Sequence, residues 1–210
     1  MTAPESRRAP QRRRRLPPEQ RERQVLDAAV QAFSRHGFHD TSMDDVAELA
    51  GVSKPMVYTH GGGSKEELLR RCIRREADRL LGSVSQAAGS REAGGSGPEA
   101  RLRAGLRAFF ATLSSHRDGW SVLYRQARTG VVAAEVHEAR GRIVGRVAEL
   151  LAAEFGGADA SATAPTAATL VGAAEGLAEW AAAGNGGGDP DELAGTLMAL
   201  VWPGLDRLRG

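Results

Sequence analysis

Two stretches of the sequence combine residue types and spacing that suggest chemistry. The first is Gly61-Gly62-Gly63-Ser64-Lys65, a glycine run closing on a lysine. Successive backbone N–H groups in such a run can form an anion-binding concavity. A nucleotide-phosphate loop, however, needs Gly-Lys followed by Ser or Thr, after a buried strand. Here Ser64 precedes Lys65, Glu66 follows it, and helix formers come before, so nucleotide chemistry is not expected. The second stretch is residues 42–60, where Ala50-Gly51-Val52-Ser53 joins two short apolar-periodic segments. Gly51 permits the positive φ of a tight turn, Val52 can plug between the segments, and Ser53 can cap the second. Val46, Ala47, Ala50, Val52 and Val57 form an inner face, leaving Ser53, Lys54, Met56, Thr59 and His60 outside. That is the logic of a helix-turn-helix, in which the outer residues opening the second helix reach base edges in a major groove. The same residues also suit an ordinary packed helix pair.

Other chemistry finds little support. The five histidines and the scattered carboxylates show neither metal-ligand spacing nor a nucleophile–base pattern. A lone cysteine, Cys72, rules out an internal disulfide framework and a cysteine zinc cluster, and among apolar neighbours it is expected to be buried and inert. No enzyme activity, cofactor or metal is therefore expected. Net charge is +2, but residues 1–23 hold eight arginines against Glu5, Glu19 and Glu22. A basic end on a near-neutral body suits a polyanionic partner. Arg12 to Arg15 could reach phosphates or a minor groove. No apolar run reaches the roughly 18 residues of a membrane span. The nearest, Ala162 to Ala183, is interrupted by Pro165, Glu175 and Glu179. The first twenty residues are basic with no apolar core behind them, so no secretory signal, no membrane contact and a cytoplasmic location are expected.

These residues need elements to hold them, and the composition predicts helices throughout. Ala, Leu, Arg and Glu dominate, with only two isoleucines, so the fold class expected is all-α. Residues 1–16 read as a disordered basic arm, 17–63 as the helix-turn-helix unit, and 64–210 as a second helical unit entered by a connecting helix over 64–86. Helix one should start at Pro17-Pro18, bury Leu26, Ala29, Val30 and Phe33, and end at Gly37. Ser42 should cap helix two, with Asp44 and Asp45 in its first turn. Ser64 with Glu67 has capping-box spacing at the start of helix four, and Asp189 with Glu192 at the start of helix nine. Helix five should start at Pro98, six span 117–129, seven 131–155 and eight 162–183, and Pro203 should kink or end helix nine.

The run Val25-Leu26-Asp27-Ala28-Ala29, Phe33, Gly37, Thr41 to Ala47, Ala50 to His60, then Ser64-Lys65-Glu66-Glu67-Leu68 resembles the N-terminal DNA-binding domain of the TetR (tetracycline-repressor-like) family. The resemblance covers about 45 residues in order. It implies that helix three is the recognition helix, with Ser53, Lys54, Pro55, Met56 and Thr59 at the operator. It also implies phosphate or backbone contacts from Ser42, Tyr58, His60 and Lys65, with Met43 beside them. One departure stands out. The family usually has an aromatic, commonly Phe, after the Tyr-x-His segment, and here Gly61-Gly62-Gly63 replaces it. A missing buried Phe is expected to cost about 1.5–3 kcal/mol and to loosen the turn into helix four.

The resemblance further implies a second domain that encloses a small-molecule effector and forms a homodimer. Phe109, Leu113, Trp120, Leu123, Tyr124 and Trp180 are the large apolar candidates for an effector site, with His116 and Arg125 as possible polar contacts. Trp120 and Tyr124 lie one helical turn apart and can share a face. Leu170, Ala174, Leu177 and Ala181, then Leu193, Leu197, Leu200 and Val201, would form the dimer face through helices near 162–183 and 189–208. The function implied is a repressor released from a palindromic operator, a double-stranded DNA site, by a mainly apolar effector. The alternative is a constitutive or architectural DNA-binding protein without an effector.

Overall fold

A computed structural model describes residues 17–90, 97–122, 132–154, 160–183 and 188–207, without the side chains of 160–162 and 207. The expected arm 1–16 with Arg12 to Arg15 and the candidate residues Leu123, Tyr124 and Arg125 lie outside the described residues. Among the described residues all regular structure is helical, as expected. The helices are α1 (Pro18–Asp40), α2 (Met43–Ala50), α3 (Lys54–Gly61), α4 (Lys65–Gly89), α5 (Pro98–Ser115), α6 (Arg117–Trp120), α7 (Ala133–Glu154), α8 (Ala160–Ala182) and α9 (Pro190–Arg207).

Local chemistry explains most boundaries. Pro17 and Pro18 open α1, where a missing N–H has no partner to lose. Gly37, at φ 79° and ψ 175°, breaks the regular helix where a cap was expected, but the chain resumes helical geometry to Asp40. Buried Thr41 stabilises this kink by donating its hydroxyl to the Gly37 carbonyl at 2.6 Å. Helix α4 runs to Gly89, past the expected end at residue 86. Helix α9 passes through Pro203 to Arg207 instead of stopping. Pro203 stands in its last turns, where it leaves the Ala199 carbonyl without its usual donor, and Leu205 beyond it is buried.

Two larger cores form. The first gathers α1, α2 and α3 around Val25, Phe33, Val46 and Val57, each fully buried, and Truncating Phe33 to alanine there should cost about 3–5 kcal/mol. This core also takes in Leu68, Cys72, Ile73 and Ala77 of α4, with Val122, Val132 and Ala139. The boundary expected at 63/64 therefore runs through a continuous core. The second core joins Leu80 of α4 to Phe109 and Phe110 of α5, Ile143 of α7, Leu170 of α8 and Leu197 of α9. Helix α4 belongs to both, a single rod about 37 Å long at 1.5 Å per residue. Its buried Glu76 sits near the middle, bonded to Arg75 Nη2 at 2.8 Å and Arg79 Nη1 at 2.9 Å. A carboxylate so deep is tolerable because both oxygens are paired.

Candidate nucleic-acid interface and effector cavity

Helix α2 is fixed at both ends. Ser42 Oγ accepts the Asp45 N–H at 3.1 Å, and Asp45 Oδ2 accepts the Ser42 N–H at 2.8 Å. The backbone hydrogen bond from Ser42, followed by that of its side chain, holds the Asp45 carboxyl below its ordinary value. At the other end Gly51 is left-handed, at φ 60° and ψ 37°, and the Val52 N–H reaches the Ala47 carbonyl at 3.0 Å. Gln24 Nε2 donates to the Ala50 carbonyl at 2.6 Å, tying this turn to α1. Ser42 is exposed, so its position suits a phosphate contact. Met43 is not: only 6% of it is accessible, because its position in the first turn of α2 faces the first core. Its side chain belongs to the first core, so the expectation that it lies at the operator is corrected.

Helix α3 buries Val57 and leaves Ser53, Lys54, Pro55, Tyr58 and Thr59 exposed, with Met56 and His60 half-buried. Ser53 occupies the N-cap position, but its side chain makes no capping hydrogen bond. Its carbonyl instead starts the helix, accepting from Met56 N–H at 2.9 Å. Pro55 already fixes the first-turn backbone. Lys54 Nζ lies 2.8 Å from Asp44 Oδ2, and that hydrogen bond raises the lysine pKa above its ordinary value.

The glycine run tightens the next turn rather than loosening it. Gly62 and Gly63 have φ 96° and 91°, and the Gly63 N–H closes on the Tyr58 carbonyl at 2.9 Å. A Cβ on Gly61 would stand 3.0 Å from Leu68 Cδ1, and one on Gly62 would stand 2.6 Å from Glu67 Cγ. Leu68, fully buried, thus comes up against bare backbone where an aromatic ring was expected from the resemblance. Arg71 Nη1 donates to the His60 carbonyl at 2.6 Å while its Nη2 pairs with Glu22 of α1.

Lys65, expected at a phosphate, already has partners within the chain. Its ammonium donates to the Thr41 carbonyl at 2.9 Å and the His39 carbonyl at 3.3 Å, and sits 4.6 Å from the Phe38 ring centroid. Half-buried, it fastens the end of α1 to the start of α4 before any phosphate arrives. Sequence reading also missed Gln24 and Arg71, and the pairing of Asp44 with Lys54. Their polar types looked like solvated helix faces, and only their long-range partners distinguish them.

The effector candidates separate. An apolar cavity of about 90 Å³ lies between α4, α5, α7 and α8, lined by Val84, Leu106, Phe109, Ile143, Val147 and Leu170 among others. Arg101, Arg146 and Glu154 also line it, with Arg101 Nε bonded to Glu154 Oε1 at 2.7 Å. Among the described effector candidates, Phe109 alone stands in its walls. Trp120 stands edge-on behind Phe109, centroids 5.9 Å apart at 90°, and does not line the cavity. Leu113 packs half-buried against the second core. Trp180 points the other way and is 52% exposed. The available signal was Gly105, a bare position on the apolar side of α5 facing Val84 and Ala88.

The dimer-face residues also need correction. Leu170, Ala174, Ala181, Leu193 and Leu197 are buried within the chain, since α8 and α9 turn these sides toward α5 and α7. The exposed stripe consists of Ala173, Gly176 and Trp180 on α8, with Ala199, Leu200 and Pro203 on α9. Leu200 is 75% exposed.

Residues 25–72 match the family described as bacterial regulatory proteins, tetR family, and residues 98–204 match the tetracyclin repressor-like C-terminal domain. The chain belongs to the tetR family of transcriptional regulators. As a tetR-family regulator it is similar to the HTH-type transcriptional activator FasR of Mycolicibacterium smegmatis, 33% identical over 144 residues. That match takes in 68% of this chain and 64% of FasR, less than two thirds of the relative's own length. A TetR-like transcriptional regulator from Rhodococcus sp. RHA1 superposes with a TM-score of 0.72 at 40% identity, covering 91% of this chain and 99% of that one. The regulator FadR from Bacillus subtilis, solved in complex with stearoyl-CoA, shares the fold at a TM-score of 0.70 and 15% identity, covering 85% and 96%. No helix among the described residues is long and apolar enough to cross a membrane.

Proposed function

We propose that this tetR-family regulator is a cytoplasmic two-fold dimer that represses from a palindromic operator and lets go when an acyl-chain effector enters the cavity between α4, α5, α7 and α8. The cavity carries this reading. Its walls are mostly hydrocarbon, which suits an acyl chain. Arg101 and Arg146 at those walls, now paired with Glu154 and Glu149, would meet an anionic head only by exchanging those partners. The stearoyl-CoA complex of the similarly folded FadR supports the same class. At about 90 Å³ the cavity is smaller than one that encloses benzene, so a long chain must part the helices around it. One of those helices is α4, the rod that also carries Leu68 and Cys72 of the first core. A ligand that favours the parted state by a hundredfold supplies roughly 2.7 kcal/mol of coupling against operator binding. At the operator, Ser42, Ser53, Lys54, Pro55, Met56, Tyr58, Thr59 and His60 would meet DNA, with Lys65 bracing the turn behind them. The exposed stripe of Trp180 and Leu200 would form the dimer contact.

The test is operator release, followed by fluorescence anisotropy, across fatty acids and acyl-CoA esters of increasing chain length. Leu106→Trp, which fills the cavity, should abolish the response and keep ligand-free operator affinity. If no acyl compound changes operator binding, the protein is a constitutive DNA-binding protein. Tighter binding on ligand addition would favour activation, the role named for FasR.

A further inference from the structure

Two outward residues of α3, Pro55 and Thr59, present no free hydrogen-bond donor, unlike Ser53 and Tyr58 beside them. Pro55 and Thr59 lie one helical turn apart and are both exposed. Thr59 Oγ1 donates to the Pro55 carbonyl at 2.9 Å, so its proton is committed within the helix. Pro55 has no N–H, and its ring is hydrocarbon. Lys54, beside this strip, is held 2.8 Å from Asp44. What Pro55 and Thr59 together offer a major groove is therefore ring methylenes, a methyl group and one hydroxyl oxygen that can only accept. Only one base-edge feature in that groove matches an apolar partner, the C5-methyl of thymine.

We infer that Pro55 and Thr59 read a thymine methyl in each operator half-site, so that recognition there selects a 5-methylpyrimidine rather than a donor–acceptor pattern. The inference rests on α3 being the groove helix and goes further by naming what two of its residues recognise. Burying one methyl corresponds to roughly fourfold in affinity. Two symmetric half-sites would compound to about fifteenfold.

The experiment uses the full-length chain and duplexes that it selects from a random pool. Each thymine is replaced in turn, in both half-sites, by deoxyuridine, which removes only the methyl. One position per half-site should show the full loss, and 5-methylcytosine there should bind tighter than cytosine by a similar factor. The variant Thr59→Val keeps methyls and lacks the hydroxyl, so it should retain the thymine preference. The double variant Pro55→Ala, Thr59→Ser should bind thymine and deoxyuridine duplexes alike. Selective binding with no deoxyuridine effect at any position overturns the inference and leaves the groove reading standing. Loss of all selectivity in Thr59→Val also overturns it, since the hydroxyl would then be the reading group. A selection that recovers no preferred duplex overturns the groove reading and this inference with it.

Discussion

Alanine at Gly62 and at Gly63 makes a matched pair of perturbations. Both glycines are left-handed, at φ 96° and 91°, so each substitution forces an L-residue into the same disfavoured region. That cost is about 1–2 kcal/mol in either case. The surroundings differ. A Cβ at Gly63 meets nothing within 4 Å, whereas one at Gly62 meets Glu67 Cγ at 2.6 Å and Arg71 Cδ at 3.2 Å. Neither neighbour is free to swing away. Glu67 is bonded to Arg74 at 2.7 Å, and Arg71 is bonded to the His60 carbonyl and to Glu22. Overpacking against such pinned groups adds about 1–3 kcal/mol. For a chain of this length each kcal/mol lowers Tm by about 2–4 °C, so Gly62→Ala should melt roughly 2–12 °C below Gly63→Ala. Far-UV circular dichroism on the two variants and the wild type measures this. Because Arg71 also holds the His60 carbonyl near the end of α3, Gly62→Ala should lose operator affinity at temperatures where both variants remain folded. Equal melting temperatures would show that Glu67 and Arg71 yield freely, and the account of an interlocked turn would be wrong.

Burial pushes the Cys72 thiol up to about 12. Its folded-state value lies above the ordinary one, 9.0, so the stability it contributes is complete below about pH 9 and is lost as pH rises toward 12. At pH 8 a thiol reagent should label Cys72 only as fast as the protein opens, and mild denaturant should accelerate labelling; rapid labelling of the folded chain would contradict its burial. Charges placed together at Trp180 and Leu200, as Trp180→Glu with Leu200→Glu, should yield monomers of unchanged helix content in analytical ultracentrifugation. A dimer surviving both would move the interface off the exposed stripe of α8 and α9. By contrast Leu197→Glu, on the same helix but 2% accessible, should unfold the chain instead of dissociating it.

The features legible in the sequence are those settled within one helical turn. The Ser42–Asp45 box, the left-handed Gly51 and the Ser64 hydroxyl capping the Glu67 N–H at 3.0 Å each depend on residues three or four apart. Apolar periodicity likewise placed the helices and assigned Val46, Ala47, Ala50 and Val57 to the inner face of the helix pair. These choices cost or stabilise the same amount wherever the segment sits, so local spacing suffices to read them.

The tertiary structure decided everything that depends on distance between segments. Lys65 looked like a free cation at a helix start until the fold brought the Thr41 carbonyl, 24 residues away, to 2.9 Å. Met43 looked available beside Ser42 until the approach of α1 buried it. Gly61-Gly62-Gly63 looked like a packing defect, and became a tight closure because Leu68 could advance against it. The sides of α8 and α9 that meet α5 and α7 were set by rotation about each helix axis, which an apolar stripe around much of the helix leaves undetermined. The cavity is the clearest case. Leu106, Ile143 and Leu170 have the types and spacing of ordinary core residues, and they line space only because α4, α5, α7 and α8 stand too far apart to fill it. Helical periodicity records which side of a helix is apolar, and the separation between helices is a property of all of them packed together.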